Sequence, residues 1–185
     1  PQIRRMGRGT RRGRGRVAIE LIDAEAQGET AARVKALNAR FQEARDFYAA
    51  LMGDAVPPPK PGTYFTLDLL APAIFKDGVA ATLVPPPLDL SIEVELVRRF
   101  AAPTLTEGWW QVAKLPYPTA LAAQAGSVYL YRTLTPLSEE GIESLSAELD
   151  ALRRRGIGEQ RERGYGALLP CAPFHLWTAA QEAER

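Results

Sequence analysis

The sequence predicts an α+β protein, and three observations lead to this prediction. Apolar residues make up 46% of the 185 residues, which is enough to form a packed core. Apolar and polar residues alternate at 63–70, 92–100 and 128–134, a pattern typical of strands with one buried face. Two longer segments, 29–52 and 138–155, space their apolar residues by three and four positions, as helices with one buried face do. The length indicates one domain, or one domain and a fragment of another.

The N-terminal segment concentrates positive charge. The chain has 23 basic and 22 acidic residues and a net charge of +1, but residues 1–16 contain seven arginines and no acid. The remainder therefore carries 16 basic and 22 acidic residues, so the positive field is local. The alternating run 17–22 that follows predicts a short strand.

The first long helix is predicted from about Glu29 to Met52. Its apolar residues fall on one face: Val34, Leu37, Phe41, Ala44, Tyr48 and Leu51. Gly53 is a suitable stop, and the proline-rich stretch 56–62 predicts a stiff linker.

A strand is predicted from Thr63 to Leu70, a turn or loop at 75–78, and a second strand at 92–100. The segment 104–123 has no clean period and is predicted to be an ordered loop. A third strand is predicted from Val128 to Leu134, with Tyr129 and Tyr131 on one face.

The second long helix is predicted from about Ser138 to Arg155, with its inner face formed by Ile142, Leu145, Leu149 and Leu152. Acidic residues in its first turn, arginines in its last turn and Gly156 beyond it match the usual helix ends. A last strand is predicted over 165–171, and the tail after Trp177 is predicted to be a short helix or frayed. From residue 63 onward this order fits a ferredoxin-like, RRM-like βαββαβ module.

A glycine-rich loop, GIGEQRERGYG, occupies residues 156–166 between the second helix and the last strand. A dinucleotide-binding loop would instead follow a strand and open a helix, so that class is excluded. Glycines permit positive φ angles and close approach to a ligand, while Arg161 and Arg163 can hold phosphates and Tyr165 can stack on a base. The alternative is a structural connection with glycine caps and solvated charges.

A similar pattern, GRGTRRGRGRV, occurs at residues 7–17, again before a predicted strand. Two glycine-bracketed basic loops predict duplicated modules, so that residues 1–23 would end a first module whose beginning is absent. On this interpretation phosphates are held by Arg8, Arg11, Arg12, Arg14 and Arg16. The alternative is a disordered Arg/Gly tail, which would also bind nucleic acid.

Five features in this order resemble one family: Gly108-Trp109-Trp110, Leu115-Pro116-Tyr117-Pro118-Thr119, Ala125-Gly126-Ser127-Val128-Tyr129, the 156–166 loop and Pro173-Phe174-His175. The chain resembles the RAMP superfamily of CRISPR proteins, specifically the C-terminal half of the two-module subunit of type III-D effector complexes. The resemblance covers residues 1–176 and implies four segments: the end of a first module (1–23), a helical connection and linker (24–62), a second module (63–176) and a tail (177–185).

The resemblance implies a non-catalytic RNA-binding subunit in antiviral defence. Such a subunit holds the 5′ handle of the CRISPR RNA and contacts the large signalling subunit and the first backbone subunit. The RNA-binding residues would be the five arginines of 8–16 together with Trp109, Trp110, Gly156, Gly158, Gln160, Arg161, Arg163, Gly164, Tyr165 and Gly166. The family pattern reads Gly-Trp-Asn and Leu-Pro-Lys-Pro, so Trp110 and Tyr117 depart from it.

Other functions have weaker signals. His175 could act as the general base of a metal-independent CRISPR RNA processing endoribonuclease, although a packed histidine explains it more simply. Trp109 and Trp110 could stack on bases, fill the core or anchor a neighbouring subunit. The last possibility is typical of a protein-only scaffold.

Cys171 is expected to be buried rather than nucleophilic, and Glu139, Glu140, Glu93 and Glu95 are expected at a helix start and on a solvated strand face. No metal site or cofactor is predicted. One cysteine and no long apolar run favour a soluble protein of the reducing cytoplasm, by resemblance a prokaryotic one. The first residue, Pro1, suggests a fragment of a longer product.

Overall fold

A computed structural model describes residues 2–5, 16–19, 30–53, 59–110 and 113–176. Over these residues the protein is α+β, with two α-helices and antiparallel sheets. The elements in chain order are β1 (Gln2–Arg5), β2 (Arg16–Ile19), α1 (Thr30–Met52), β3 (Tyr64–Leu69), β4 (Phe75–Asp77), β5 (Ala80–Thr82), β6 (Val94–Phe100), β7 (Pro103–Thr106), β8 (Trp109–Trp110), β9 (Leu115–Pro116), β10 (Ala120–Ala123), β11 (Val128–Thr133), α2 (Glu139–Arg155) and β12 (Leu168–Pro170). Two 3-10 turns cover Arg161–Arg163 and Pro173–Leu176.

The largest sheet has four strands in the order β12-β3-β11-β6, with every neighbouring pair antiparallel. Side chains alternate between two faces along each strand. The core face carries Phe65, Leu67, Leu69, Tyr129 and Tyr131, all of them buried. The opposite face, called here the open face, carries Tyr64, Thr66, Asp68, Leu130 and Arg132, of which Thr66, Asp68 and Arg132 are also buried. The strands predicted at 63–70, 92–100 and 128–134 are thereby confirmed.

Helix α2 closes the core face and confirms the predicted helix. Ser138 caps its first turn, accepting a hydrogen bond from the Gly141 backbone N–H at 3.2 Å. Leu145, Leu149 and Leu152 are buried against the sheet. Burial of side chains of this size contributes about 2 kcal/mol each. The helix therefore forms at the predicted place because its caps, charges and apolar stripe all agree.

Helix α1 confirms the prediction for 29–52, and among the described residues its buried side chains all lie in its first half. Val34 and Leu37 are buried in the core. The Asn38 amide pairs with the backbone of Tyr64, at the end of β3 that β12 does not reach. Its oxygen accepts from the Tyr64 N–H and its nitrogen donates to the Tyr64 carbonyl, both at 2.8 Å. Beyond this point the apolar side chains are exposed, including Phe47, Tyr48, Leu51 and Met52.

The ordered loop predicted over 104–123 is wrong in part, because the segment contains four short strands. β7 pairs with β10 and β8 pairs with β9. Strands of two to four residues are too short to show a period of two, and prolines interrupt them. The turn or loop predicted at 75–78 is likewise a hairpin of β4 and β5.

The last strand is shorter than the predicted 165–171 and covers only Leu168–Pro170. Gly166 (φ 73°) on one side and Cys171 (φ 47°) on the other leave the extended conformation, which ends the pairing with β3. At the N-terminus, β1 and β2 form a separate antiparallel pair. The predicted strand at 17–22 overlaps β2, while its residues 20–22 and the tail 177–185 lie outside the described residues.

Candidate nucleic-acid interface

The 156–166 loop leaves α2 and turns back toward β12 through four glycines with positive φ. The angles are 72° at Gly156, 82° at Gly158, 89° at Gly164 and 73° at Gly166. Residues with a Cβ rarely adopt this conformation, so the glycines meet a backbone requirement.

Most of these glycines approach the protein's own backbone. The Ile157 N–H donates to the Gly166 carbonyl at 2.9 Å, and the Gly166 N–H donates to the Pro72 carbonyl at 2.8 Å. A Cβ on Gly158 would lie 2.5 Å from the Ile74 carbonyl oxygen, whereas a Cβ on Gly164 would meet open space. Gly164 is therefore the loop glycine whose surface is free to approach a ligand.

Arg163 and aromatic residues from a distant segment form a cluster at the tip of the loop. The Arg163 guanidinium carbon lies 3.7 Å from the ring centre of Tyr117 and 5.5 Å from that of Tyr165. Gln160 hydrogen-bonds the same guanidinium. Trp110 stacks on Tyr117 with ring centres 6.0 Å apart and planes 12° apart. The fold thus brings Trp110 together with three residues of the loop, Gln160, Arg163 and Tyr165, and all four were predicted from the sequence to bind RNA.

Gly108 allows this cluster to form. A Cβ on Gly108 would lie 3.0 Å from an Arg163 nitrogen and 3.1 Å from the Tyr117 ring. The Tyr117 N–H also donates to the Gly108 carbonyl at 2.8 Å, and β8 pairs with β9 between them. The Gly-Trp-Trp and Leu-Pro-Tyr segments are therefore one unit. Tyr117 was not assigned to the site from the sequence; the cation at position 163 and the aromatic at 117 are 46 residues apart, so no local pattern connects them.

The two tryptophans occupy different positions although they are adjacent. Trp109 pairs with Pro116 and Trp110 with Leu115 across the β8–β9 ladder, so their side chains leave opposite sides of the strand. Their exposures are similar, 55% for Trp109 and 50% for Trp110. Neither tryptophan is a core residue, which removes that alternative.

Arg161 lies on the other side of the loop, where it lines a cavity of about 440 Å³ with Arg155 and Lys76. Lys76 pairs with Glu159 at 2.8 Å and Arg155 with Asp89 at 3.5 Å. Within the part of the chain that the structure describes, no carboxylate lies within ion-pair distance of Arg161 or Arg163. Their charge is therefore not neutralised locally.

The other predicted basic residues are not connected to this cluster. Arg8, Arg11, Arg12 and Arg14 lie outside the described residues, and the backbone of Arg16 begins β2. The structure therefore does not relate the N-terminal arginines to the 156–166 loop.

His175 is docked on a buried carboxylate that was not singled out from the sequence. Its Nε2 lies 2.7 Å from Asp68 Oδ1, and its side chain is 19% exposed. Asp68 Oδ2 also accepts from the Thr66 hydroxyl at 2.8 Å and the Ala172 N–H at 2.9 Å. These contacts hold the C-terminal turn against the open face of the sheet. In the sequence Asp68 occupies an ordinary polar position of the alternating strand, so no local signal distinguished it.

Cys171 is buried, as expected. Desolvation by burial raises the pKa of its thiol to about 11. The thiol is therefore protonated near neutral pH and is a poor nucleophile. Burial likewise raises the pKa of Tyr129 to about 12, and its hydroxyl donates to the Leu83 carbonyl at 2.9 Å.

A groove lies between the exposed half of α1 and the open face of the sheet, with a volume of about 980 Å³. Phe41 and Tyr48 on α1 face Tyr64 and Leu130 on the sheet, and the Phe41 and Tyr64 rings meet edge to face at 5.5 Å. Glu95, expected on a solvated strand face, instead pairs with Arg132 and, at 3.6 Å, with Lys60. The hydrogen bond from Arg132 is the main reason that the pKa of Glu95 is lowered.

Comparison of the chain with known protein families finds no family that matches, and no curated protein matches it. Among the described residues, no helix is long and apolar enough to cross a membrane. The same residues contain no group of three or more His, Cys, Asp or Glu side chains placed to hold a metal ion.

Proposed function

We propose that this protein is a non-catalytic RNA-binding subunit of a type III CRISPR effector complex, similar to type III-D. In this role residues 63–176 form a ferredoxin-like RAMP module that holds the 5′ handle of the CRISPR RNA. The subunit would contact the large signalling subunit and the first backbone subunit, in the cytoplasm of a prokaryote.

The strand order supports the ferredoxin-like part of the proposal. Numbered within the module, the strands lie in the order 4-1-3-2 and all neighbours are antiparallel, as a βαββαβ module requires. One departure is that a hairpin and a proline-rich segment replace a helix between β3 and β6. Helix α1, which precedes the module, contacts α2 and β3 and supplies a second helix to the core.

The observation that most favours RNA binding is the meeting of three segments at one exposed surface. At this surface Arg163 of the 156–166 loop lies beside the stacked rings of Trp110 and Tyr117, and among the described residues no carboxylate pairs with it. Gly164 of the same loop has open space at its Cβ position, while Arg161 lies on the other side of the loop. Cations beside exposed aromatic rings are the usual components of single-stranded nucleic-acid sites.

The test is binding of the full chain to a single-stranded RNA with the 5′-handle sequence of the host's repeat, measured from low to high salt. R161E/R163E is expected to weaken binding and to make it less sensitive to salt. The slope of log affinity against log salt concentration should become shallower by about 0.7 for each phosphate that the variant no longer neutralises. R153E/R154E, which reverses two exposed arginines in the last turn of α2, is the matched control. Equal affinity and slope for R161E/R163E and the unaltered protein would remove the loop from the RNA site.

A protein-only scaffold is the second candidate, and the groove beside α1 favours it. Exposed apolar residues on one half of a helix are typical of interaction surfaces. In that case nuclease treatment would leave the native assembly intact and no defined RNA would copurify with it.

The endoribonuclease alternative depends on His175. Its Nε2 bonds Asp68 and its ring contacts Phe174, with ring centres 3.9 Å apart. RNA cleavage by the native protein that is lost in H175A without loss of folding would favour this alternative over the non-catalytic subunit.

A further inference from the structure

We infer that Trp110, Tyr117 and Arg163 form a stacking platform for one unpaired base of a single-stranded RNA. In this platform Arg163 contributes the plane of its guanidinium group, and its charge alone is not sufficient. The inference rests on the proposed function, because the ligand is the RNA proposed above.

The platform is built before any ligand arrives. The Trp110 and Tyr117 planes are 12° from parallel, and the Arg163 guanidinium lies over the Tyr117 ring at 3.7 Å. Gln160 and the close packing at Gly108 restrict Arg163. A preorganised platform binds with a smaller loss of side-chain entropy than mobile side chains would.

The stack can accept a further flat group, because half of the Trp110 surface is exposed. An indole and a guanidinium both present flat faces, and a base is a flat partner that can extend such a stack. Bases in a duplex already stack on their neighbours, whereas unpaired bases can be splayed onto protein side chains. The ligand class is therefore a single strand with an unstacked base.

The geometry also distinguishes Arg163 from Arg161. Arg163 contacts Tyr117 and Tyr165, whereas Arg161 lines the basic cavity on the other side of the loop. A lysine at position 163 keeps the charge but lacks the plane, so it cannot replace a stacking arginine. At position 161 a lysine is expected to suffice.

The experiment measures binding of the full chain to a single-stranded RNA that carries 2-aminopurine at successive positions, together with an unlabelled duplex as competitor. The unaltered protein should quench 2-aminopurine at one position, and the duplex should compete poorly. W110A is expected to weaken binding roughly 5- to 160-fold, the range for loss of one stacked base, with an unchanged salt slope. W110F should recover most of the affinity, and R163K should weaken binding more than R161K does.

Phe100 supplies the matched control, since it is an exposed aromatic residue at the end of β6 and is not a member of this cluster. F100A should bind within about twofold of the unaltered protein, because it removes no member of the stack. RNA binding with equal losses in F100A and W110A, with R163K as tight as the unaltered protein, or with no quenching at any position would overturn the platform and leave the proposed function intact. Absence of any RNA binding would overturn both.

Discussion

Replacement of Gly166 by alanine tests whether the glycine loop is primarily a folded structural unit. Gly166 has a φ of 73°, and an added Cβ would lie 2.9 Å from the Ile157 carbonyl carbon and closer still to its oxygen. A left-handed conformation costs a residue with a Cβ about 1–2 kcal/mol. The clash would also separate the Ile157 and Gly166 backbones and break the hydrogen bonds from Ile157 to Gly166 and from Gly166 to Pro72.

Two backbone hydrogen bonds contribute about 1 kcal/mol each, so G166A is expected to lower the free energy of unfolding by roughly 3–4 kcal/mol. For a chain of this size this corresponds to a decrease in Tm of roughly 10 °C. G164A is the control: Gly164 has a φ of 89° but open space around its Cα. Its cost is the conformational one alone, about 1–2 kcal/mol.

Thermal unfolding followed by circular dichroism, with urea unfolding as a second measurement, compares the two variants. A Tm for G166A equal to or above that of G164A would refute the close packing of Gly166 on Ile157 and Pro72.

Three further substitutions or reactions test the packing elsewhere. D68A leaves buried donors without an acceptor and is expected to lower the free energy of unfolding in urea by about 2–4 kcal/mol. H175A should lower it less, because His175 is only one of the three groups that Asp68 holds. A larger loss for H175A than for D68A would contradict this account. Cys171 is expected to react slowly with iodoacetamide at pH 8.5 in the folded protein and rapidly in urea. Folding raises the pKa of the Cys171 thiol from 9.0 to about 11, so the protonated thiol stabilises the folded protein below pH 9 and this stabilisation is lost as the pH rises toward 11. C171A should therefore lose less unfolding free energy between about pH 9 and pH 11 than the unaltered protein does. N38A removes both hydrogen bonds to the Tyr64 backbone and should cost about 1–3 kcal/mol of unfolding free energy, whereas an unchanged stability would indicate that water replaces the amide.

Sequence reasoning succeeded where local and tertiary preferences agree. Helix α2 has a serine cap, acidic and basic ends and an apolar stripe, so each of these signals indicates the same helix. It failed at 104–123, where strands of two to four residues depend on partners elsewhere in the chain. It also placed α1 correctly without predicting that its second half would be exposed, since an apolar stripe does not show what covers it.

The fold class, the two helices, the three longer strands of the main sheet and the position of the glycine-rich loop can be predicted from the amino-acid sequence, because they follow from periodicity, capping and turn residues within short windows. Three contacts follow from the tertiary arrangement instead: Arg163 meets Tyr117, His175 docks on Asp68, and Trp110 stacks on Tyr117. These pairs are brought together by sheet pairing and loop packing over tens of residues. Contacts at that separation depend on the whole arrangement of elements, which no local pattern in the chain encodes.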